Sequence, residues 1–304
     1  IGDEPSAIFF EYLGKAISLN ERLFTNQFIF LNLYPNYASV AQNTSAEALS
    51  QLGTASYEEH IAKYVEKVPT DYICYDHYMY SSRSQLAYEN LRIVANACRA
   101  SNRSLWIVLQ VNANREEEKI SENQLRHQAF SAMAFGAENI IWACWTAGWW
   151  YNNILDEKGE KTEQYDKLRK INGEISGMGV PYMKYINLST DFVGFKNPEK
   201  IRKVKQAPVD SLDAGIFSKI RAENSEGIIV GHMVKREGLG EALMLADAEY
   251  PRGEKEESYR ILFRCDSPNV KAVRNGGEIP VERTEDGEFS VEMTSCAGIL
   301  VTAE

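Results

Sequence analysis

The sequence has no long apolar run and no concentration of basic residues. No stretch reaches the ~18–20 consecutive apolar residues of a membrane-spanning helix. Among 304 residues, 33 lysines and arginines face 43 aspartates and glutamates, which gives a net charge of −10. No Lys/Arg cluster offsets this negative charge. We therefore expect neither a membrane span nor a surface that binds nucleic-acid phosphates.

Patterns that hold metals or disulfides are also missing. The five cysteines have no CxxC spacing, and the four histidines form no HxH or HExxH motif. We therefore predict no zinc site, no disulfide framework and no cofactor. Hydrophobic residues make up 44% and charged residues 25% of the chain, which is ordinary for a globular protein with a full core.

Up to about residue 178, short apolar runs alternate with amphipathic stretches. The runs are rich in β-branched and aromatic residues, as strands covered on both faces are. The predicted strands are 27–33, 72–80, 105–111 and 139–145. The predicted helices are 7–23, 57–67, 83–100, 122–135 and 162–174. This alternation is typical of βα units in a parallel sheet.

From about residue 180 the pattern changes to short alternating runs separated by turns rich in Gly, Asn and Asp. The runs are 227–233, 242–247, 258–264, 270–273, 289–293 and 298–301. Their close spacing predicts an antiparallel β-sandwich. We therefore predict an α/β domain over residues 1–178 and an all-β domain over residues 179–304.

Polar and aromatic residues follow the predicted strands at the end where α/β barrels carry their functional groups. The candidates are Asn32, Tyr34, Asn36, Asp76, His77, Tyr78, Gln110, Asn112, Trp145, Trp149 and Trp150. Amides and carboxylates bind hydroxyl groups, and aromatic faces pack on the C–H side of a pyranose ring. The combination indicates a carbohydrate ligand. Each aromatic residue could equally be core, and Trp142, inside a predicted strand, is expected to pack against helices.

Glu4 lies where a strand passes into a helix, in the segment Gly2-Asp3-Glu4-Pro5. A carboxylic acid at a barrel strand end is a candidate general acid. A carboxylate at a helix start is also favoured by the helix dipole alone, so both interpretations stay open.

The order of these motifs resembles the second half of a clan A glycoside hydrolase. Asp3-Glu4-Pro5 looks like the motif after strand 4 of their (β/α)8 TIM barrel. The segments 124–145 and 156–165 are similar to the last barrel units of family 42-type β-galactosidase-like enzymes, and 227–301 resembles the β-sandwich that follows. The resemblance implies strands 4–8 of an α/β barrel, Glu4 as acid/base, and a periplasmic or extracellular location.

Two departures from that family stand out. The strand-7 position of the nucleophilic Glu is held by Gln110 or a neighbour, and an amide cannot attack an anomeric carbon as a carboxylate does. Asp76 or Glu116 would then serve instead. Strands 1–3 are absent, so the missing barrel half is expected to come from elsewhere in a longer protein or from a second copy of the chain.

The leading hypothesis is a glycoside hydrolase with Glu4 as general acid and Asp76 as the second carboxylate. Tyrosines and amides at the strand ends would hold sugar hydroxyls. Trp145, Trp149 and Trp150 would form an aromatic wall that raises the pKa of Glu4 by desolvation. The alternatives are a non-catalytic glycan-binding protein on a degenerate hydrolase barrel and a structural fragment without activity.

Overall fold

The computed structural model describes residues 2–24, 26–41, 50–81, 83–146, 150–196, 204, 207–251, 254, 258–294 and 296–304. The chain forms a mixed helix and strand structure that divides into two compact units. One unit contains residues 1–78, 83–108 and 137–141, and the other contains residues 79–82, 109–136 and 142–304. None of the described helices has the length and apolar character needed to cross a lipid bilayer.

The first unit is built from short strands separated by helices. The strands are β1 (Gly2–Asp3), β2 (Leu31–Asn32), β3 (Tyr72–Asp76), β4 (Ser104–Gln110) and β5 (Ala137–Ala143), the last two continuing into the second unit. β1 pairs in parallel with β2, and β3 pairs in parallel with β4. Leu33, directly after β2, forms a parallel bridge to Tyr75, and β5 is hydrogen-bonded beside β4. The strands therefore follow one another in chain order.

Local capping signals explain why the helices begin and end where they do. The helices are α1 (Phe10–Leu23), α2 (Tyr57–Lys67), α3 (Ala87–Ser101), α4 (Glu122–Ala134) and α5 (Glu163–Tyr182). Ser56 caps α2 by accepting a hydrogen bond from the Glu59 N–H. Ser121 and Gln124 form a reciprocal capping box at the start of α4. Asn102 ends α3 in the left-handed conformation, with φ 52°.

Several predicted boundaries differ from the observed ones. The strand predicted over 27–33 pairs only at Leu31–Asn32 and in the single bridge after it. The strand predicted over 72–80 ends at Asp76, and the helix predicted from 83 begins at Ala87 after one 3-10 turn. The helix predicted to end at 174 runs on to Tyr182 because buried Met178 and Tyr182 anchor its last turns.

The second unit carries two antiparallel sheets that share one apolar core. Its strands are β6 (Tyr185–Val193), β7 (Leu212–Ala214), β8 (Phe217–Glu223), β9 (Ile228–Lys235), β10 (Glu241–Asp247), β11 (Ser258–Cys265), β12 (Val270–Arg274), β13 (Gly277–Ile279), β14 (Glu282–Arg283), β15 (Phe289–Thr294) and β16 (Ile299–Ala303). One sheet has the order β13-β12-β16-β10-β9-β6 and the other β14-β15-β11-β8-β7. Phe217, Phe263 and Phe289 stack from the second sheet into the shared core. Each of the six runs predicted as strands overlaps a strand of these sheets, and two of them, 227–233 and 298–301, begin one residue before the observed strand.

Candidate active site

The ends of three strands of the first unit bring Asp3, Glu4 and Asp76 together around Asn32. Glu4 directly follows β1, Asn32 ends β2 and Asp76 ends β3. β1 pairs in parallel with β2, and Leu33, directly after β2, forms a parallel bridge to Tyr75 of β3. The carboxyl ends of the three strands therefore lie side by side. The Glu4 N–H donates to the Asn32 carbonyl at 2.8 Å. Glu4 has φ 47°, a left-handed conformation that non-glycine residues rarely adopt and that recurs at functional sites.

The Asn32 carboxamide ties the acidic residues to one another. Its Nδ2 donates to Asp3 Oδ1 at 3.1 Å and to Asp76 Oδ1 at 2.8 Å. Its Oδ1 accepts a weak hydrogen bond from Cys74 Sγ at 3.6 Å. Asn32 is buried, so its amide is held in one orientation. The Asn32 amide therefore fixes the position of Asp76, and its expected role in binding a sugar hydroxyl stays a prediction.

Glu4 and Asp76 form a hydrogen-bonded carboxyl pair. Burial raises the pKa of Glu4 to about 8, and the negative charges of Asp76 and Asp3 add to that rise. Burial also raises the pKa of Asp76 to about 6, while the hydrogen bond from Asn32 opposes the rise. The two buried carboxyls therefore favour one shared proton, with the larger rise in pKa at Glu4. The pair offers a proton donor and a carboxylate in contact.

Neutral aromatic side chains lie near this pair: Tyr34 and Tyr37 interact electrostatically with Glu4 and Asp76, and His77 directly follows Asp76. His77 is 2% exposed, neither ring nitrogen has a hydrogen-bond partner within the described residues, and burial lowers its pKa to about 3. Tyr37 meets the His77 ring edge-on at 5.3 Å. Burial raises the pKa of Tyr34, and the charge of nearby Glu4 raises it further. Tyr37 was not among the predicted site residues, although it lies in the same segment after β2.

Two further predicted residues of this unit are placed differently. The Asn36 amide donates to Glu89 Oε2 at 2.8 Å and to the Leu86 carbonyl at 3.3 Å, so it fastens its loop to the start of α3. Tyr78 is half-buried. The roles in hydroxyl binding expected for both stay predictions.

In the second unit, the amides of Gln110 and Asn112 are used inside the protein. Gln110 Oε1 accepts from the Tyr80 N–H at 2.8 Å, and Gln110 Nε2 donates to the Asn112 carbonyl at 2.8 Å. The Asn112 side chain donates to Asn153 Oδ1 and accepts from the Cys144 N–H. Both residues are buried, so these amides brace the segments after β4 and β5.

Replacing Gln110 with Glu should therefore destabilise the protein. A carboxylate cannot donate to the Asn112 carbonyl, and it brings a charge into a site that is 1% exposed. We expect a loss of about 2–4 kcal/mol in the free energy of unfolding, measured by denaturant titration at pH 7. The matched control is Gln124→Glu, because Gln124 only accepts in its capping box and a carboxylate can do the same. Equal stability of the two variants would contradict the bracing role.

The tryptophans near β5 divide into buried and exposed residues. Trp142 is 8% exposed and its Nε1 donates to Asn172 Oδ1 in α5 at 2.9 Å, so it packs against a helix as expected. Trp145, directly after β5, is 54% exposed, and Trp150 is half-buried. Trp149 lies outside the described residues. An aromatic wall beside Glu4 stays a prediction.

The acidic residues of this site do not form a cluster of metal ligands. Within the ranges that the structure describes, no group of three or more His, Cys, Asp or Glu side chains is placed to hold a metal ion. The Glu4–Asp76 pair instead shares a proton, and the chemistry that its geometry supports is proton transfer.

Comparisons with known proteins give only distant structural likenesses. No protein-family model and no curated protein matches the sequence. The chain is similar to the α-fucosidase of Thermotoga maritima, with 10% identity, a TM-score of 0.35, and coverage of 97% of this chain and 68% of that chain. It is also similar to the catalytic module of a family 98 glycoside hydrolase from Streptococcus pneumoniae TIGR4, with 9% identity, a TM-score of 0.28, and coverage of 99% and 83%. Similarity at this level does not identify a family.

Proposed function

We propose that the protein is a glycoside hydrolase that uses Glu4 as its general acid. The observation that carries the proposal is the meeting of Glu4 and Asp76 at the ends of neighbouring parallel strands, where Asn32 binds both the Glu4 N–H and the Asp76 carboxylate. Burial and the nearby negative charges raise the pKa of Glu4, which favours the protonated form that a general acid needs. Protonation of the glycosidic oxygen by Glu4 breaks the bond from that oxygen to the anomeric carbon, and the proton leaves with the aglycone hydroxyl while positive charge develops on the sugar ring. A water molecule then bonds to the anomeric carbon, and its proton passes to the carboxylate pair, which restores the protonated Glu4.

Asp76 has two roles in this proposal. Its charge and its hydrogen bond hold the proton on Glu4 before substrate binds. When the glycosidic oxygen replaces Asp76 as the proton acceptor, the freed carboxylate can stabilise positive charge on the sugar. A hydrogen-bonded pair is closer than the ~5 Å of retaining enzymes or the ~6.5–9.5 Å of inverting enzymes, so the two groups must separate as substrate enters.

The proposal also includes a specific fold for each part of the chain, a partial barrel followed by a sandwich. β1 to β5 correspond to strands 4–8 of a (β/α)8 barrel over residues 1–178, and residues 179–304 form a β-sandwich. The in-order strands and the shared core of the two antiparallel sheets support this assignment.

A further α/β segment, from a longer chain or from a second copy, would complete the sheet of the first unit. Three exposed apolar side chains of that unit support this part of the proposal. Tyr12 is 72% exposed, Leu23 63% and Phe28 64%. Apolar side chains with this much exposed area would gain stability if another element packed on them.

A non-catalytic glycan-binding protein is the second candidate. The exposed Trp145 would serve binding as well as catalysis. By the family resemblance described above, Gln110 occupies the position of the nucleophile, and an amide cannot act as one. A panel of nitrophenyl glycosides in both anomeric configurations separates the two functions. The hydrolase releases nitrophenol, and its rate falls as the pH rises through the pKa of Glu4 because the protonated acid is the active form. Glycan binding without release at any pH would support the binding protein instead.

Trp145→Ala should weaken glycan binding about tenfold and leave the thermal midpoint unchanged. The ring is more than half exposed, so its loss removes a stacking surface of about 1–3 kcal/mol without opening a cavity. The matched control is Trp142→Ala, which removes a buried ring and should cost about 3–5 kcal/mol of stability. Binding titration and thermal melting of both variants measure the two effects. Unchanged affinity in Trp145→Ala would refute the stacking role.

A further inference from the structure

A second concave site lies in the first unit, at the opposite ends of the strands from the carboxyl pair. It has a volume of about 500 Å³ and lies between α1, the end of α2 and Arg103, which directly precedes β4. This volume falls in the range of small-molecule sites. The site is separated from Asp76 by the length of β3, about 16 Å at 3.3 Å per residue. It is therefore independent of the proposed hydrolase chemistry.

Close helix packing holds the walls of this cavity in place. A Cβ atom at Gly14 would lie 2.0 Å from the Lys67 carbonyl oxygen, so α1 and α2 approach here as only glycine permits. Phe10 of α1 packs edge-on against Tyr64 of α2, with ring centroids 5.5 Å apart. The cavity is thus built between two fixed helices.

The charged lining of the cavity has an excess of cations. Lys15 pairs with Glu11 at 2.8 Å, and Lys67 pairs with Glu66 at 2.8 Å. The remaining two lining charges are arginines, and neither pairs with a carboxylate in the part of the chain that the structure describes. This local excess of positive charge occurs in a protein whose net charge is −10.

The two arginines keep most of their donors available. Arg22 Nε donates to the Ser18 carbonyl of its own helix at 3.2 Å. Arg103 Nη2 donates to the Val65 carbonyl at 2.9 Å, and its guanidinium lies 5.8 Å from the centre of the Tyr64 ring. Arg103 Nη1 is buried without a hydrogen-bond partner among the described residues. A guanidinium carries five N–H donors, so each arginine uses a minority of them.

We propose that this cavity binds a small molecule through its phosphate group, with Arg22 and Arg103 as the recognition residues. The guanidinium fork matches phosphate oxygens with two parallel hydrogen bonds. The two lysines are paired with Glu11 and Glu66, so the two arginines supply an excess charge of +2, which suits a dianion better than a single carboxylate. The competing explanation is that these cations only neutralise the carbonyl ends of α1 and α2.

Calorimetric titration of the full chain at fixed ionic strength tests the proposal, with inorganic phosphate and a hexose monophosphate as probes. We expect saturable binding at one site, and Arg22→Gln should weaken it about tenfold because one charged hydrogen-bonding partner is lost. The matched control is Arg260→Gln, because Arg260 is an exposed arginine paired with Glu223 on β8 and should leave the affinity unchanged.

Arg103 needs a substitution that keeps its positive charge, because its guanidinium also donates a hydrogen bond to the Val65 carbonyl near the end of α2. Arg103→Lys keeps the charge but loses the fork, and we expect it to weaken binding by a similar factor with an unchanged thermal midpoint. Tighter binding of the hexose monophosphate than of inorganic phosphate would support a phosphorylated sugar as the ligand. No saturable binding of either probe, or equal affinity in wild type and Arg22→Gln, would overturn the proposal and leave the cations as helix-end charges.

Discussion

Glu4→Gln is expected to lower kcat by a factor of about 10²–10⁴ and to leave the fold intact. Glutamine has the shape of the protonated Glu4, and its amide can donate the same hydrogen bond to the Asp76 carboxylate. It cannot release a proton to the glycosidic oxygen. The variant therefore keeps the local structure and loses only the acid, which makes it the substitution with the largest expected effect on activity.

The matched control for this variant is Asp3→Asn. Asp3 is the neighbour of Glu4, is exposed, and shares the Asn32 amide with Asp76. Its loss removes one of the charges that raise the pKa of Glu4 but leaves the acid in place, so we expect less than about a tenfold loss of kcat. Steady-state hydrolysis of an aryl glycoside and thermal melting measure both variants. A Glu4→Gln enzyme within tenfold of wild type would rule out Glu4 as the proton donor.

Asp76→Asn should also be severely impaired, and it should move the pH profile. The substitution removes a carboxylate that stabilises the developing charge, so we expect kcat to fall by about 10²-fold or more. It also removes the charge and hydrogen bond that raise the pKa of Glu4. Activity is present while Glu4 is protonated and is lost as pH rises through its pKa. A lower pKa therefore moves the alkaline limb of the rate profile to lower pH.

Asp71→Asn is the control for the Asp76 substitution. Asp71 directly precedes β3, at the opposite end of that strand, and its side chain is exposed. The same change of charge there should alter neither kcat nor the alkaline limb. If Asp76→Asn retains the wild-type alkaline limb, the electrostatic coupling of the pair is contradicted even where kcat is reduced.

The helices could be predicted well because their signals are local. Ser56 and Glu59, or Ser121 and Gln124, are visible in the sequence as capping pairs, and each pair caps its helix in the structure. The predicted acid Glu4 was likewise visible as a carboxylate between a strand and a helix. These features can be read from the sequence because each depends on residues only a few positions apart.

The relation between Glu4 and Asp76 could not be predicted in the same way. It depends on Asn32, whose amide reaches both Asp3 and Asp76, and on a two-residue β1 that pairs with β2. The sequence also did not reveal that the charges of Asp76 and Asp3 add to the effect of burial on the pKa of Glu4. Residue type did not reveal these long-range partners.

Five strands of the second unit escaped prediction, namely β6, β7, β8, β13 and β14. The two longest of them, β6 and β8, were missed for a related reason. β6 carries Asn187 inward, where its amide donates to the Ala134 carbonyl, and a bulge between Asn187 and Ser189 shifts the alternation. In β8, Lys219 has φ 53°, and the pairing with β11 shifts between Leu262 and Arg264. A buried polar residue or a bulge breaks the two-residue period by which strands are recognised.

The most direct test of the central claim is an NMR titration of the Glu4 carboxyl carbon, with Glu4→Gln used to assign the signal. The account predicts a midpoint near pH 8 because burial and the charges of Asp76 and Asp3 disfavour ionisation. Titration near the ordinary value of 4.5 would contradict it, since Glu4 would then be ionised at neutral pH and could not serve as the general acid.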